Sequence, residues 1–243
     1  MAYQAVFKRY ELKFLLNRQQ KERIIKEMKP YMSLDQYGRT TIRNLYLDTE
    51  NYRLVRRSIE KPKYKEKLRI RSYQKATPES KVFVELKKKY DSIVYKRRVA
   101  LSEEEAMRWM RNKKYTGQET QISKEIDYFL AYYDNLKPVL FLSYEREAYY
   151  SNDGGDFRVT FDDTILCRQD QLSLISDVGG DSLLDNDIVL MEIKCSGGIP
   201  LWMVSVLSEE RIYKTSFSKY GKAYQNIIFP EHKRGGLNER FVI

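Results

Sequence analysis

The feature that most restricts this chain is an alternation of ionic and apolar residues that returns in segment after segment. Arg9, Glu11 and Lys13 alternate with Tyr10, Leu12 and Phe14. Lys67, Arg69 and Arg71 alternate with Leu68 and Ile70, and Glu85 and Lys87 with Val84 and Leu86. The same spacing separates Lys96 from Arg98, Tyr144 from Arg146, and Glu192 from Lys194. A strand has a side-chain period of two, so each set occupies one face of its strand. The opposite, apolar face must then be buried against something else.

Helices supply that partner. The pattern predicts helices over 18–29, 103–112, 120–134 and 200–213, each with an apolar stripe. Asn17 is placed to cap the first, and Ser102 with Glu105 forms a capping box for the second. Strands are expected over 5–16, 39–47, 64–73, 81–89, 92–100, 139–149, 156–162, 164–168 and 187–195. Short helices are expected over 50–58 and 217–228, and a polar loop over 170–186. Helices that cover the apolar strand faces leave the charged faces to line an interior. The expected fold class is therefore α+β: an antiparallel β-barrel tunnel with a charged interior and helices packed on the outside. With no repeat, linker or composition break, one domain is expected over 1–230, followed by a polar tail over 231–243.

A chain of 243 residues with 42% apolar content can bury a sizeable core. The net charge of +10 favours phosphate-rich partners. Two cysteines, Cys167 and Cys195, show neither metal spacing nor a disulfide framework. No apolar signal region or stretch of about 18 apolar residues is present. The expected setting is cytoplasmic, with a membrane-bound partner left open. The one histidine, His232, sits in the polar tail, which argues against a histidine-activated nucleophile or a phosphohistidine.

The charged rows carry the chemistry. Successive cations on one strand face lie about 6.5–7 Å apart. At an effective dielectric near 20 they repel by about 2.4 kcal/mol, so an enclosed row needs carboxylates or a bound anion. Arginine forks take phosphate oxygens in pairs, and lysine acts as a point charge. A carboxylate among phosphates can hold magnesium or manganese, which completes its shell with phosphate oxygen and water. For Glu11 and Glu85 a salt bridge to a neighbouring lysine or arginine is an equal reading.

An ordered set of segments resembles the vacuolar transporter chaperone (VTC) domain of the CYTH-like triphosphate tunnel superfamily. These are Arg9-Tyr10-Glu11-Leu12-Lys13-Phe14, Lys67-Leu68-Arg69-Ile70-Arg71-Ser72-Tyr73, Val84-Glu85-Leu86-Lys87, Tyr144-Glu145-Arg146, Phe157-Arg158-Val159, Met191-Glu192-Ile193-Lys194 and Ser216-Phe217-Ser218-Lys219-Tyr220-Gly221. The resemblance implies a basic tunnel that handles polyphosphate, with a divalent metal (manganese or magnesium) as cofactor. It implies that Lys13, Arg69, Arg71, Lys87 and Arg146 act at the reacting phosphates. Arg9, Lys67, Lys96, Arg98, Tyr144, Arg158, Lys194 and Lys219 would bind the phosphate chain. Glu192 and Glu11 would hold the metal. Two positions depart from the family pattern. Arg9 replaces the first acid of Glu-x-Glu-x-Lys, and Lys89 stands where the eukaryotic polymerases carry histidine.

Three functions follow. The first is metal-dependent synthesis of polyphosphate from ATP, with the growing chain as nucleophile. The second is hydrolysis of triphosphate by a water oriented by Glu11 or Glu85. The third is non-catalytic binding of a polyanion. The partners expected are ATP, triphosphate or polyphosphate. Specific nucleic-acid binding is not expected, because the tyrosines show no RNA-platform clustering. Oligomeric state is not legible.

Overall fold

A computed structural model describes residues 10–91 and 93–231. Arg9, His232 and the tail beyond Glu231 lie outside the described residues. The chain is a mixed α/β protein with a large antiparallel sheet and helices. Eleven strands occur in it: β1 (Tyr10–Asn17), β2 (Met32–Leu34), β3 (Thr40–Asp48), β4 (Tyr64–Tyr73), β5 (Lys81–Tyr90), β6 (Ile93–Ser102), β7 (Lys137–Ser151), β8 (Arg158–Arg168), β9 (Asp181–Ser182), β10 (Ile188–Cys195) and β11 (Lys214–Thr215). The helices are α1 (Arg18–Met28), α2 (Arg53–Ile59), α3 (Glu103–Asn112), α4 (Gln121–Tyr132), α5 (Leu201–Glu209) and α6 (Lys219–Ala223), which runs into a π-helical turn, Tyr224–Ile228.

The strand path is β11-β1-β10-β8-β7-β3-β4-β5-β6, with β2 joined to β7 and β9 to β8. It has two ends, so the expected closed β-barrel is not formed. Alternation decides which face a side chain takes, but closure needs the terminal strands to pair. Here β11 is two residues long and pairs with β1, while β6 pairs with β5.

Backbone packing divides the chain into two compact units. Unit 1 comprises Met1–Thr41, Tyr144–Ile165 and Leu184–Phe217, and unit 2 comprises Ile42–Ser143, Leu166–Leu183 and Ser218–Ile243. Each buries its own core. In unit 1, Phe14 and Leu16, Val159 and Phe161, and Val189, Met191 and Ile193 pack with Ile24 and Met28 of α1 and Met203, Val206 and Leu207 of α5. In unit 2, Leu68 and Ile70 with Val82, Val84 and Leu86 pack with Trp109 and Met110 of α3 and Ile126, Phe129 and Leu130 of α4. Burying each such side chain contributes about 1.5–3 kcal/mol. The apolar strand faces are thus covered by helices, as their periodicity requires.

Local signals explain the helix starts. Asn17 with Gln20 and Ser102 with Glu105 form the two capping boxes. α2 begins three residues later than expected because its cap is remote. The buried Asp48 carboxylate accepts from the Leu54 and Val55 amides at 2.9 and 3.0 Å. The break expected near residue 163 is absent: β8 runs through Thr164, which has φ +48°. The loop 170–186 contains β9, and α5 stops four residues short of the expected end. Cys195 is buried in the unit 1 core, where burial pushes its thiol up rather than activating it.

Candidate functional site

In unit 1 the charged positions form a checkerboard. The antiparallel register sets Glu11 opposite Lys194 and Lys194 opposite Arg158; the next row sets Lys13, Glu192 and Thr160 side by side. Lys13 Nζ lies 3.4 Å from both Glu11 and Glu192, and it donates to the Phe217 carbonyl at 2.8 Å. Glu192 is buried and has Lys194 at 3.6 Å and Arg146 at 3.8 Å. Arg146 reaches it from β7 while making a two-pronged bond, 2.6 Å on each arm, to the fully buried Asp162. Arg146 also lies over the ring of buried Tyr144, 5.1 Å from its centroid. Arg158 stacks over Tyr150 at 4.6 Å.

The electrostatics follow from that mixture. Burial opposes the Arg146 charge, but Asp162, Tyr144 and Glu192 outweigh it and hold the guanidinium protonated well above its usual range. Lys194 goes the other way. Burial, helped by Arg146 and Arg158, lowers its pKa to about 8 despite Glu192 and Glu11.

In unit 2 the balance is cationic. Lys67, Arg69 and Arg71 of β4, Lys87 of β5, and Lys96 and Arg98 of β6 share a face on which Glu85 is the one carboxylate among the described residues of these strands. The register makes two unlike rows. In one, Glu85 stands between Arg69 and Arg98. It takes Arg69 at 2.9 and 2.7 Å, Arg98 at 2.8 Å and Lys96 at 2.8 Å. In the next, Lys67, Lys87 and Lys96 stand opposite one another with no acid in the row. Like charges directly opposite destabilise a strand pair. Lys67 donates to Ser218 Oγ at 3.1 Å and lies 5.9 Å over the Tyr220 ring. Arg71 is fixed by Asn44 at 2.9 Å.

The Glu85 carboxyl is driven far below the usual carboxylate range: burial would raise it, but Arg69, Arg71 and Lys96 prevail. Its contacts are those of a counter-ion shared by Arg69, Lys96 and Arg98. The salt-bridge reading holds for Glu85, and Glu11 likewise pairs with Lys13. Lys96 is lowered by burial and by its cationic neighbours more than Glu85 restores it.

Two tyrosines that periodicity did not single out belong to the unit 2 face. Tyr46 accepts from Arg69 at 3.2 Å, and Tyr73 accepts from Arg98 at 3.1 Å. Burial would raise both phenols, yet both are lowered. Arg69, Arg71 and Lys219 act on Tyr46, and Arg98 and Arg71 on Tyr73. Lys219, on α6, is therefore close enough to act on this cluster. Tyr46 also stacks on Tyr220 at 4.7 Å, and Tyr220 donates to Asp48 at 2.8 Å. For Tyr46 the signal is the cross-strand register, which sets it opposite Arg69, whereas Tyr73 continues the period-two row of Lys67, Arg69 and Arg71 on β4.

The predicted site residues therefore assemble in two groups. Glu11, Lys13, Tyr144, Arg146, Arg158, Glu192 and Lys194 fall in unit 1, and Lys67, Arg69, Arg71, Lys87, Lys96, Arg98 and Lys219 in unit 2. Among the described residues no cluster of three histidine, cysteine or acidic side chains could cage a metal. Glu11 and Glu192 nevertheless bracket one ammonium, that of Lys13. Two hard carboxylates in that position fit a magnesium- or manganese-sized cation that takes its other ligands from phosphate and water. No helix among the described residues is long and apolar enough to cross a membrane.

Solved structures share this fold. A candidate adenylate cyclase from Bacillus halodurans matches with a TM-score of 0.54 and 16% identity, covering 88% of this chain and 95% of that one. A candidate adenylyl cyclase from Hippeastrum, whose structure was reported with a dominant triphosphatase activity, matches with a TM-score of 0.50 and 14% identity, covering 88% and 94%. The chain shares its fold with these two proteins. A family model for the VTC domain matches residues 8–228, and the chain belongs to that family. The comparison with curated proteins returned no match.

Proposed function

We propose that this chain is a phosphotransferase that binds the triphosphate of ATP and extends inorganic polyphosphate with its γ-phosphoryl group. The observation that carries the reading is the cationic strand face of unit 2, where the register sets Lys67, Lys87 and Lys96 opposite one another beside the Arg69–Glu85–Arg98 row. A face with that charge excess is stabilised by a polyanion, and its arginine forks are held by Glu85 before the anion arrives.

The residues divide the work as follows. Arg69 and Arg98 present guanidinium groups to phosphate oxygens, with Glu85 fixing their planes. Arg71 is locked by Asn44 and adds fixed charge. Lys67, Lys87 and Lys96 follow the phosphate chain as point charges. Unit 1 carries its own cationic set, Lys13, Arg158 and Lys194, and Arg146 holds the strand pair through Asp162 while offering charge beside Glu192. Glu192 and Glu11 would hold a divalent cation there, which would neutralise charge on a phosphate bound by that set. The terminal oxygen of a polyphosphate chain attacks the γ-phosphorus, the bond to the β-γ bridging oxygen breaks, and ADP leaves. That displacement needs no protein nucleophile, so catalysis is positioning and charge neutralisation.

Incubating the purified protein with ATP and manganese tests this. Long-chain polyphosphate on a gel supports the reading. Phosphate released from ATP or tripolyphosphate without chain growth would replace it with a triphosphatase, the activity reported for the Hippeastrum neighbour. Tripolyphosphate binding with neither product would leave a binding module.

A further inference from the structure

Unit 1 contains two buried polar atoms with no hydrogen-bond partner among the described residues: Arg158 Nε and Thr160 Oγ1. They are two residues apart on β8, so they share a strand face. The apolar positions between and beyond them, Val159 and Phe161, belong to the core. Thr160 therefore faces with the charged residues, level with Glu192 and Lys13 in the register. It has no accessible surface.

A buried hydroxyl without a partner destabilises the fold, because its lost hydration is not replaced. Valine has nearly the same shape and β propensity and would avoid that cost. A threonine here needs a use for its hydroxyl that the unliganded chain does not show. The available chemistry is narrow. Arg158 Nε can only donate, and a threonine hydroxyl can donate or accept. Arg158 Nε needs an acceptor, the Thr160 hydroxyl can donate to one, and the cations Lys13, Lys194 and Arg146 nearby favour an anion. A phosphoryl group offers acceptor oxygens to both and carries the complementary charge, whereas a cationic ligand would be repelled.

We propose that Thr160 is a substrate-binding residue whose hydroxyl donates to the phosphoryl group that Arg158 holds, so that the two orphaned donors form one phosphate seat on β8. The proposal rests on the triphosphate reading above and adds to it a neutral donor beside the metal-side carboxylates. A neutral donor orients a phosphoryl oxygen without adding charge that would compete with a cation at Glu192.

The test is calorimetric titration of metal-free tripolyphosphate into wild type, Thr160→Val and Thr160→Ser, with thermal unfolding of each in the absence of ligand. Thr160→Val is expected to bind about tenfold to a hundredfold more weakly, the cost of one hydrogen bond to a charged group. It is expected to unfold at the same temperature as wild type or higher. Thr160→Ser is expected to retain most of the affinity. Wild-type affinity in Thr160→Val overturns the assignment of Thr160 alone. A clear loss of unliganded stability in Thr160→Val also overturns it, because the hydroxyl then has a structural partner. A wild-type protein that binds no tripolyphosphate overturns the triphosphate reading, and this assignment with it.

Discussion

The two units meet the same problem, charged strand faces opposite apolar ones, and solve it differently. In unit 1 each acid stands against a base: Glu11 by Lys194, Glu192 by Lys13, and Asp162 locked to Arg146. In unit 2 a single carboxylate, Glu85, serves Arg69, Arg98 and Lys96, and the register sets Lys67, Lys87 and Lys96 opposite one another in the next row. The first arrangement interleaves acids and bases, and the second sets several cations around one acid. On the proposed reading, the cationic face of unit 2 offers a polyanion the larger share of positive charge.

This contrast is open to attack by substitution, beginning with the largest effect. Arg146→Ala is expected to destabilise folding by about 3–5 kcal/mol in denaturant titrations, because it strands the fully buried Asp162. A small effect would mean that Arg146 is a substrate group and not a structural one. Glu85→Gln is expected to cost about 3 kcal/mol, at the low end because Lys96 and Arg98 are partly solvated. Saturating tripolyphosphate should restore part of that loss, whereas it should not rescue Arg146→Ala.

The third test uses pH. Lys194 has a folded-state pKa of about 8, below that of an unfolded lysine. Its charge costs stability below about pH 8, and that cost is relieved as pH rises from 8 toward the ordinary lysine range. Anion binding favours the charged form. Tripolyphosphate affinity should therefore fall as pH rises through about 8, with proton uptake on binding in that range. Lys194→Arg should flatten this segment of the profile, and an unchanged profile would remove Lys194 from the site.

The smallest effect is the most diagnostic of the lysine row. Lys87→Met is expected to weaken tripolyphosphate binding modestly, by removing one cation of the row, as read by calorimetric titration. Unchanged affinity would remove Lys87 from the phosphate path.

How much of this the chain declares in advance depends on whether the signal is local. β4 and α3 lie where the sequence places them, because period-two alternation and the Ser102–Glu105 box are written into neighbouring residues. The charged faces were legible for the same reason. Signals that cross the chain were not. The short strands β2, β9 and β11 exist through pairing with distant partners, and α2 is capped by Asp48 from upstream. Alternation could not tell a closed barrel from an open strand path. The site shows the same division. Arg69, Lys87 and Glu192 were found as members of rows. Tyr46 was missed because its partner, Arg69, lies on another strand, whereas Tyr73 continues the row of β4 and has its partner, Arg98, on β6. Asp162 was missed because nothing near it announces Arg146. Arg9, the one departure expected to add charge at the start of β1, falls outside the described residues.

The central claim is that the lysine row of unit 2 exists to hold phosphates. The most direct measurement is metal-free titration of tripolyphosphate into wild type and the Lys67→Met/Lys87→Met double variant. Wild type should bind, and the double variant should bind at least about a hundredfold more weakly. Equal affinity in the two proteins would contradict the claim.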